Sequence, residues 1–507
     1  MKIIITKRAF IIIMICLLVA GSHSFAQESV PLKTDVDKKA LISELEKVIP
    51  QLMMKAEVPG LSIAVIIDGK IIWSRGFGIK NTKTGERVND DTIFEAASLT
   101  KPFFAYAVMK LVEKGELDLD TPLINYAPQD YIEKEYIRHP MDLEGFRRDW
   151  FQRITARMVL SHSSGLPHGG PRKPLPIYFE PGQKYRYSAD GYMYLQRIVE
   201  HLRGETLREI MRKSVIEPLR MKNSSMVWQD IYETQSAVGH DIFSETTGNF
   251  RKRKMAHAAA SLYTTAYDYA RFIVAMLNDA GLKKETVKEM LTPQIDVEKD
   301  VFWGLGFGLE HTDSGDAFWQ WGDYGIFRNY IVAYKKQKIG VVYLTNSNNG
   351  LSIGPEIVKH AIGGGNDLGL AYLNYTRYDA PSMVFAQTIK NEGIEKAVKL
   401  FHELRKKDPD GLSESTINSL GYTLLNSKKI PEAIEIFKLN VEAFPDSANV
   451  YDSLAEAYMK NGDNELAIKF YKKTLEIIPK DTKADKEFLE RLKKGALENL
   501  KKLEKKD

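Results

Sequence analysis

The chain has 507 residues, 44% hydrophobic and 27% charged, a globular composition with length for two or three domains. A formal net charge of +4 is small for this length and gives no argument for nucleic-acid binding. The single cysteine, Cys16, lies in the first apolar run, so the chain beyond that run has no disulfides and no thiolate metal sites.

Lys2, Lys7 and Arg8 precede the apolar run "AFIIIMICLLVAG", and Ser24-Phe25-Ala26 offers small residues for cleavage. This pattern predicts a signal peptide over 1–26 and export to the periplasm or medium. The run is shorter than the ~20 residues a spanning helix needs, so no membrane span is expected after its removal. Ile15 before Cys16 argues against lipid attachment. An amphipathic helix is predicted over about 37–54. "LSIAVIIDGKIIWSRGFG" then reads as two strands turning at Asp68-Gly69.

The next segment, "IFEAASLTKPFFAYAVMKLVEKG", places Ser98 and Lys101 three residues apart, on one helix face. Phe104, Val108, Leu111 and Val112 form an apolar helical stripe, and Gly115 ends it. Pro102 is tolerated only in a first turn, so the helix starts near Ser98. A serine at a helix start with a neutral lysine one turn away is a candidate nucleophile and base. The plain alternative is a capping serine followed by a surface lysine.

A polar middle section carries "LSHSSGLPHGG" and "FEPGQKYRYSADGYMYLQRIVEHL". The basic run Arg251-Lys252-Arg253-Lys254 reads as a solvated loop, with an anionic partner as the alternative. Near residue 300, "WGLGFGLEHT", "AFWQWGD" and "YIVAYKKQKIGVVYLTNS" read as consecutive antiparallel strands. Strands at both ends with helices between predict one α/β (α+β) domain over 27–372. "GGGND" at 363–367 lacks a P-loop lysine and reads as a loop.

A linker is expected over 373–382, and 383–507 is rich in Lys and Glu. Leu420, Ala433, Phe437 and Pro445 recur as Leu454, Ala467, Tyr471 and Pro479 at a period of 34 residues. Ala397, Phe401 and Pro409 mark a degenerate earlier repeat. The region resembles a tetratricopeptide array with a basic C-terminal helix. Such arrays bury a core by stacking, and the array is either a stabilising appendage or a groove for a protein or peptide partner.

The first domain resembles the class C β-lactamase and penicillin-binding-protein-like serine hydrolases. "TIFEAASLTKPF" is similar to the family's S-x-x-K helix, "MVLSHSSGLP" to its L-x-S-H-T-S-G-L segment and "FEPGQKYRYSADGY" to its F-x-P-G…Y-S-N-x-G-Y segment. "WGLGFGL", "FWQWGDYG" and "VVYLTNS" match its closing strands. The resemblance implies a transpeptidase-like antiparallel sheet flanked by helices with a mostly helical subdomain. It implies that Ser98 is acylated, that Lys101 takes the Ser98 proton and that Tyr187 relays a proton to the leaving group. Nearby cations are expected to lower the Tyr187 phenol. The backbone N–H groups of Ser98 and of Asp323, just after Gly322, would form the oxyanion hole. His162 is implied to be structural.

The sequence departs from the family pattern at two positions. Ala189 stands where the family commonly has Asn, with Asp190 beside it, and Gln320 stands where it has Lys or His. Both positions are expected to touch substrate. The whole reads as an exported serine hydrolase cleaving an amide, lactam or ester of a small molecule or peptide. It needs no metal or cofactor and binds no nucleic acid. The rival reading is an inactive domain that binds cell-wall fragments and signals through its repeat array.

Overall fold

Residues 30–137, 144–169, 175–247, 251–364 and 367–504 are described by the computed structural model. The segment read as a signal peptide lies outside them, as do two residues of the "GGGND" run and the last three residues of the basic end.

An eight-stranded sheet organises the first part of the chain. Its strands are β1 (Gly60–Ile67), β2 (Lys70–Gly78), β5 (Ile295–Glu298), β6 (Val301–Trp303), β7 (Gly308–Thr312), β8 (Gly315–Asp323), β9 (Arg328–Tyr334) and β10 (Ile339–Thr345). A separate two-stranded ribbon pairs β3 (Phe94–Glu95) with β4 (Tyr263–Thr264). The sheet order is β2-β1-β10-β9-β8-β7-β6-β5, antiparallel at every pairing. The predicted hairpin turns at Asp68-Gly69, both with left-handed φ (53° and 66°). The N-terminal hairpin joins the C-terminal strands through β1 against β10, as strands from both ends of the domain require.

Side chains alternate across the sheet, and the two faces bury different cores. Leu61, Ile63, Val65, Val341 and Tyr343 pack against helix α1 (Lys38–Ala56) and α5 (Gly354–Ile362). Ala64, Ile66, Ile331, Ala333 and Val342 face the larger core, with α2 (Thr100–Glu113), α3 (Ala189–Arg203) and α4 (Ala266–Leu277). Asp37 caps α1 by accepting from the N–H groups of Lys39 and Ala40. α2 is buried on nearly every face from Thr100 to Met109, more than the predicted stripe. It is the central helix of the domain, so even Lys101 is enclosed.

From Pro381 the described residues form seven α-helices: α6 (Pro381–Glu392), α7 (Ile394–Lys407), α8 (Glu414–Asn426), α9 (Ile430–Ala443), α10 (Ala448–Asn461), α11 (Asn464–Ile477) and α12 (Lys486–Leu503). α8 and α10 start 34 residues apart, as do α9 and α11, which is the period read from the sequence. Leu420, Ala433, Phe437, Leu454, Ala467 and Tyr471 share one core with Ala397 and Phe401. Phe243, from a loop of the sheet portion, is buried in that same core.

Candidate active site

Ser98 sits in a 3₁₀ turn, Ala97–Leu99, that leads into α2. Pro102 falls in the first α-helical turn, where its missing N–H leaves no partner unmet. Ala97 has φ 50°, a conformation that costs a non-glycine residue free energy unless its surroundings hold it. They do so from both sides. Thr100 Oγ1 donates to the Ala97 carbonyl at 2.7 Å and accepts from Leu262 N–H at 3.0 Å. Gln320 Nε2, from β8, donates to the Ser98 carbonyl at 3.1 Å. Ser98 itself is partly exposed.

Lys101 Nζ lies 3.1 Å from Ser98 Oγ and donates to the Ala259 carbonyl at 3.0 Å. The side chain is 1% exposed, and among the described residues no carboxylate pairs with it. Burial without a counter-charge disfavours the ammonium and holds Lys101 down at about 7. Nζ also lies 4.6 Å from the centre of the Tyr187 ring and 5.7 Å from that of Tyr192.

Tyr187 completes the cluster. Its hydroxyl is hydrogen-bonded with Ser98 and accepts from Gln320 Nε2 at 3.2 Å. Burial pushes the phenol up, against the opposing effect of those two hydrogen bonds. The expectation that cations lower it fails, because desolvation of the phenolate is the larger effect. Tyr187 therefore rests as a neutral phenol.

His162 takes no part in a serine triad. Its Nδ1 accepts from Ser188 N–H at 3.0 Å, its Nε2 is buried with no partner among the described residues, and its ring packs 4.2 Å from Tyr187. Burial and the Lys101 charge hold it well below the usual histidine range, so it is neutral.

Gly322 sits against the turn that carries Ser98. A Cβ there would lie 2.2 Å from the Ala96 carbonyl oxygen, so only glycine lets β8 come this close. Asp323, the next residue, ends β8. Its carboxylate lies 3.2 Å from Arg328 Nε, accepts from Gly325 N–H at 2.5 Å and bonds the Tyr375 hydroxyl. Gln320 is fully buried, and its Oε1 has no partner among the described residues. Its donors serve Ser98 and Tyr187, so it braces the cluster. Ala189 is the first residue of α3, after the N-cap Ser188, and is partly buried. The neighbouring Asp190 is buried and accepts from Gly169 N–H at 2.7 Å, outside the Ser98 cluster.

A family model described as Beta-lactamase matches residues 45–357, which include this whole cluster. The chain belongs to the beta-lactamase family. A second model, described as Tetratricopeptide repeat, matches residues 448–481. Among curated relatives, Protein flp of Staphylococcus aureus (strain N315) is 22% identical over 367 residues, 68% of this chain and 69% of its own. The Unguisins hydrolase ungD of Aspergillus violaceofuscus is 23% identical over 276 residues, 48% of this chain and 46% of its own. Two solved structures share the fold at a TM-score of 0.53. One is the octameric penicillin-binding protein homologue from Pyrococcus abyssi, at 24% identity over 69% of this chain and 81% of that one. The other is the D-alanine carboxypeptidase AmpC from Burkholderia cenocepacia, at 18% identity over 64% of this chain and 98% of that one.

Two parts of this beta-lactamase-family site had no sequence signal. The Ala259 carbonyl that fixes Lys101 is a backbone group 158 residues away. Tyr324, just after Asp323, bonds the Ala260 carbonyl and so ties the β8–β9 turn to the segment that holds Lys101. Side-chain type reveals neither, since both contacts depend on how the 251–262 loop lies across β8.

Proposed function

We propose that this protein is a serine hydrolase that works through an acyl-enzyme on Ser98. The observation that carries the reading is the buried Lys101, with no carboxylate paired to it among the described residues and Nζ 3.1 Å from Ser98 Oγ. A lysine near 7 is half neutral at physiological pH and accepts the hydroxyl proton as Ser98 attacks a carbonyl. The new C–O bond sends the carbonyl electrons to oxygen, where the N–H groups of Ser98 and Asp323 would meet the negative charge. Tyr187 then gives its phenolic proton to the leaving atom and recovers one from the Lys101 ammonium. Water hydrolyses the ester by the same steps in reverse order of roles.

One solved structure of the same fold is described as a carboxypeptidase and one curated relative as a hydrolase, which supports a hydrolytic reading. Export through residues 1–26 fits a hydrolase of extracellular or periplasmic substrates. The repeat portion is read as a protein-interaction element.

The test is covalent labelling. A neutral fluorophosphonate should add mass to the peptide carrying Ser98, and Ser98→Ala should take up none. Equal labelling of that variant overturns the reading.

A further inference from the structure

The basic run at 251–254 does not lie wholly in solvent. Lys252 pairs outward with Glu233. Arg251 and Arg253 instead both lie on Tyr324, with guanidinium carbons 3.8 and 5.6 Å from the ring centre. Arg253 Nη2 donates to the Tyr324 hydroxyl at 3.1 Å, while its Nε is buried and has no partner among the described residues. Among the described residues, neither guanidinium has a carboxylate oxygen within 4 Å. The acid beside them, Glu95, is buried and uses a carboxylate oxygen on the backbone N–H of Arg251 at 3.4 Å. Burial pushes that carboxyl up to about 7, so it answers the two positive charges only in part. Two guanidinium groups gathered on one ring, one of them with a buried and unmet donor, are an arrangement that a bound anion would satisfy.

Their place in the site gives the anion a role. The Tyr324 hydroxyl bonds the Ala260 carbonyl, next to the Ala259 carbonyl that holds Lys101. Along β8, Gln320 touches Tyr187, while Tyr324 lies just past the other end of the catalytic stretch. The leaving group departs where its proton donor stands, at the Tyr187 end. An acyl part running along β8 away from that end would point toward Tyr324, which follows Asp323, and so toward the two arginines on its ring.

We propose that Arg251 and Arg253 form a binding subsite for a carboxylate carried on the acyl portion of the substrate, so that the preferred substrates are monoesters or monoamides of dicarboxylic acids. The proposal rests on the Ser98 acyl-enzyme reading. A planar guanidinium pair suits a carboxylate because each can offer two parallel N–H donors. It also moves the charge requirement away from Gln320, which is neutral and engaged with Ser98 and Tyr187.

The experiment uses the full chain and two substrates that differ only in charge: the p-nitrophenyl monoester of adipic acid and the p-nitrophenyl methyl diester of the same acid. Their kcat/KM ratio should favour the acid by about tenfold or more, the size expected of a charge-assisted contact. Arg253→Ala and Arg251→Ala should each lower that ratio by about tenfold, Arg253→Lys should recover part of it, and added salt should shrink it. A ratio near one in the unmodified protein overturns the subsite. So does an unchanged ratio in both alanine variants, including the case where both substrates slow equally. Intact-mass analysis of the acylated protein keeps the two claims apart. An adduct on Ser98 with no charge preference sinks the subsite alone. An adduct elsewhere sinks the Ser98 reading, and the subsite with it.

Discussion

In the proposed mechanism, burial is what would make Lys101 usable as a base. Placed near 7 by desolvation, it should make Ser98 acylation rise with pH through that value and level off above it. Lys101→Arg, which keeps its proton at every accessible pH, should acylate at least about a hundredfold more slowly. Stopped-flow release of p-nitrophenol from pH 5 to 9 checks both. The same burial lowers stability. The folded pKa lies below the unfolded value of about 10.4, so the unfolded chain binds the extra proton between the two. The penalty is full below about 7 and fades as pH rises toward 10.5. Lys101→Met should therefore stabilise the fold by on the order of a few kcal/mol at pH 7, and by less at pH 10. Urea unfolding at the two pH values measures the difference, and a gain that grows with pH would contradict the assignment. Ser98 and Lys101 were legible because their relation is local, three residues on one helix. Arg253, Tyr324 and Ala259 were not, because what they touch is decided by a loop folding back over residues 64 to 158 positions away in sequence.

β8 is the element on which the site depends most. Its residues alternate, so Gln320 faces Ser98 while Trp319 packs into the opposite core. Gly322→Ala would drive a methyl into the Ala96 carbonyl, a backbone atom that cannot turn aside. The strand or the nucleophile turn must shift, and a displaced oxyanion donor costs about a hundredfold or more. Acylation should fall by that factor while far-ultraviolet circular dichroism is unchanged. Gln320 carries a second expectation, because in penicillin recognition the substrate carboxylate meets a cation at the matched position. Here a neutral amide stands there, already bonded to Ser98 and Tyr187, so nitrocefin should be hydrolysed more weakly than a short-chain p-nitrophenyl ester. Efficient nitrocefin turnover, with no gain in Gln320→Lys, would show that position 320 does not set the preference. The hairpin, the closing strands and the repeat helices were readable because their signals are periodic and close in sequence. The role of Gln320 was not, because a strand's period says which face a residue takes and not which donor meets which acceptor.

At the scale of the whole molecule, the helical portion is joined to the sheet portion by more than a tether. Lys390 pairs with Glu57 at 2.7 Å, Gln387 Nε2 donates to the Lys55 carbonyl at 2.8 Å, and Lys429 meets Glu245 at 2.5 Å. Phe243 enters the helical core, and a cavity of about 510 Å³ between the portions is lined in part by Arg328 and Tyr375, which hold Asp323. The join at 373–382 thus carries a residue that touches the site's border, a contact that composition did not announce. A chain ending at Ala380 keeps Tyr375 but uncovers Phe243. It should melt several degrees lower, about what the loss of one buried aromatic contact gives, and still hydrolyse small esters within about threefold of the full chain. A truncated chain that is folded yet labels Ser98 far more slowly would mean that the helices shape the site.

The central claim is that one buried lysine turns Ser98 into the nucleophile of an acyl-enzyme. It is tested most directly by fluorophosphonate labelling with peptide mass mapping on the unmodified protein, Ser98→Ala and Lys101→Arg in parallel. The expected result is a single adduct on the peptide holding Ser98, absent from the first variant and strongly slowed in the second. An adduct at another residue, or undiminished labelling of Lys101→Arg, would contradict it.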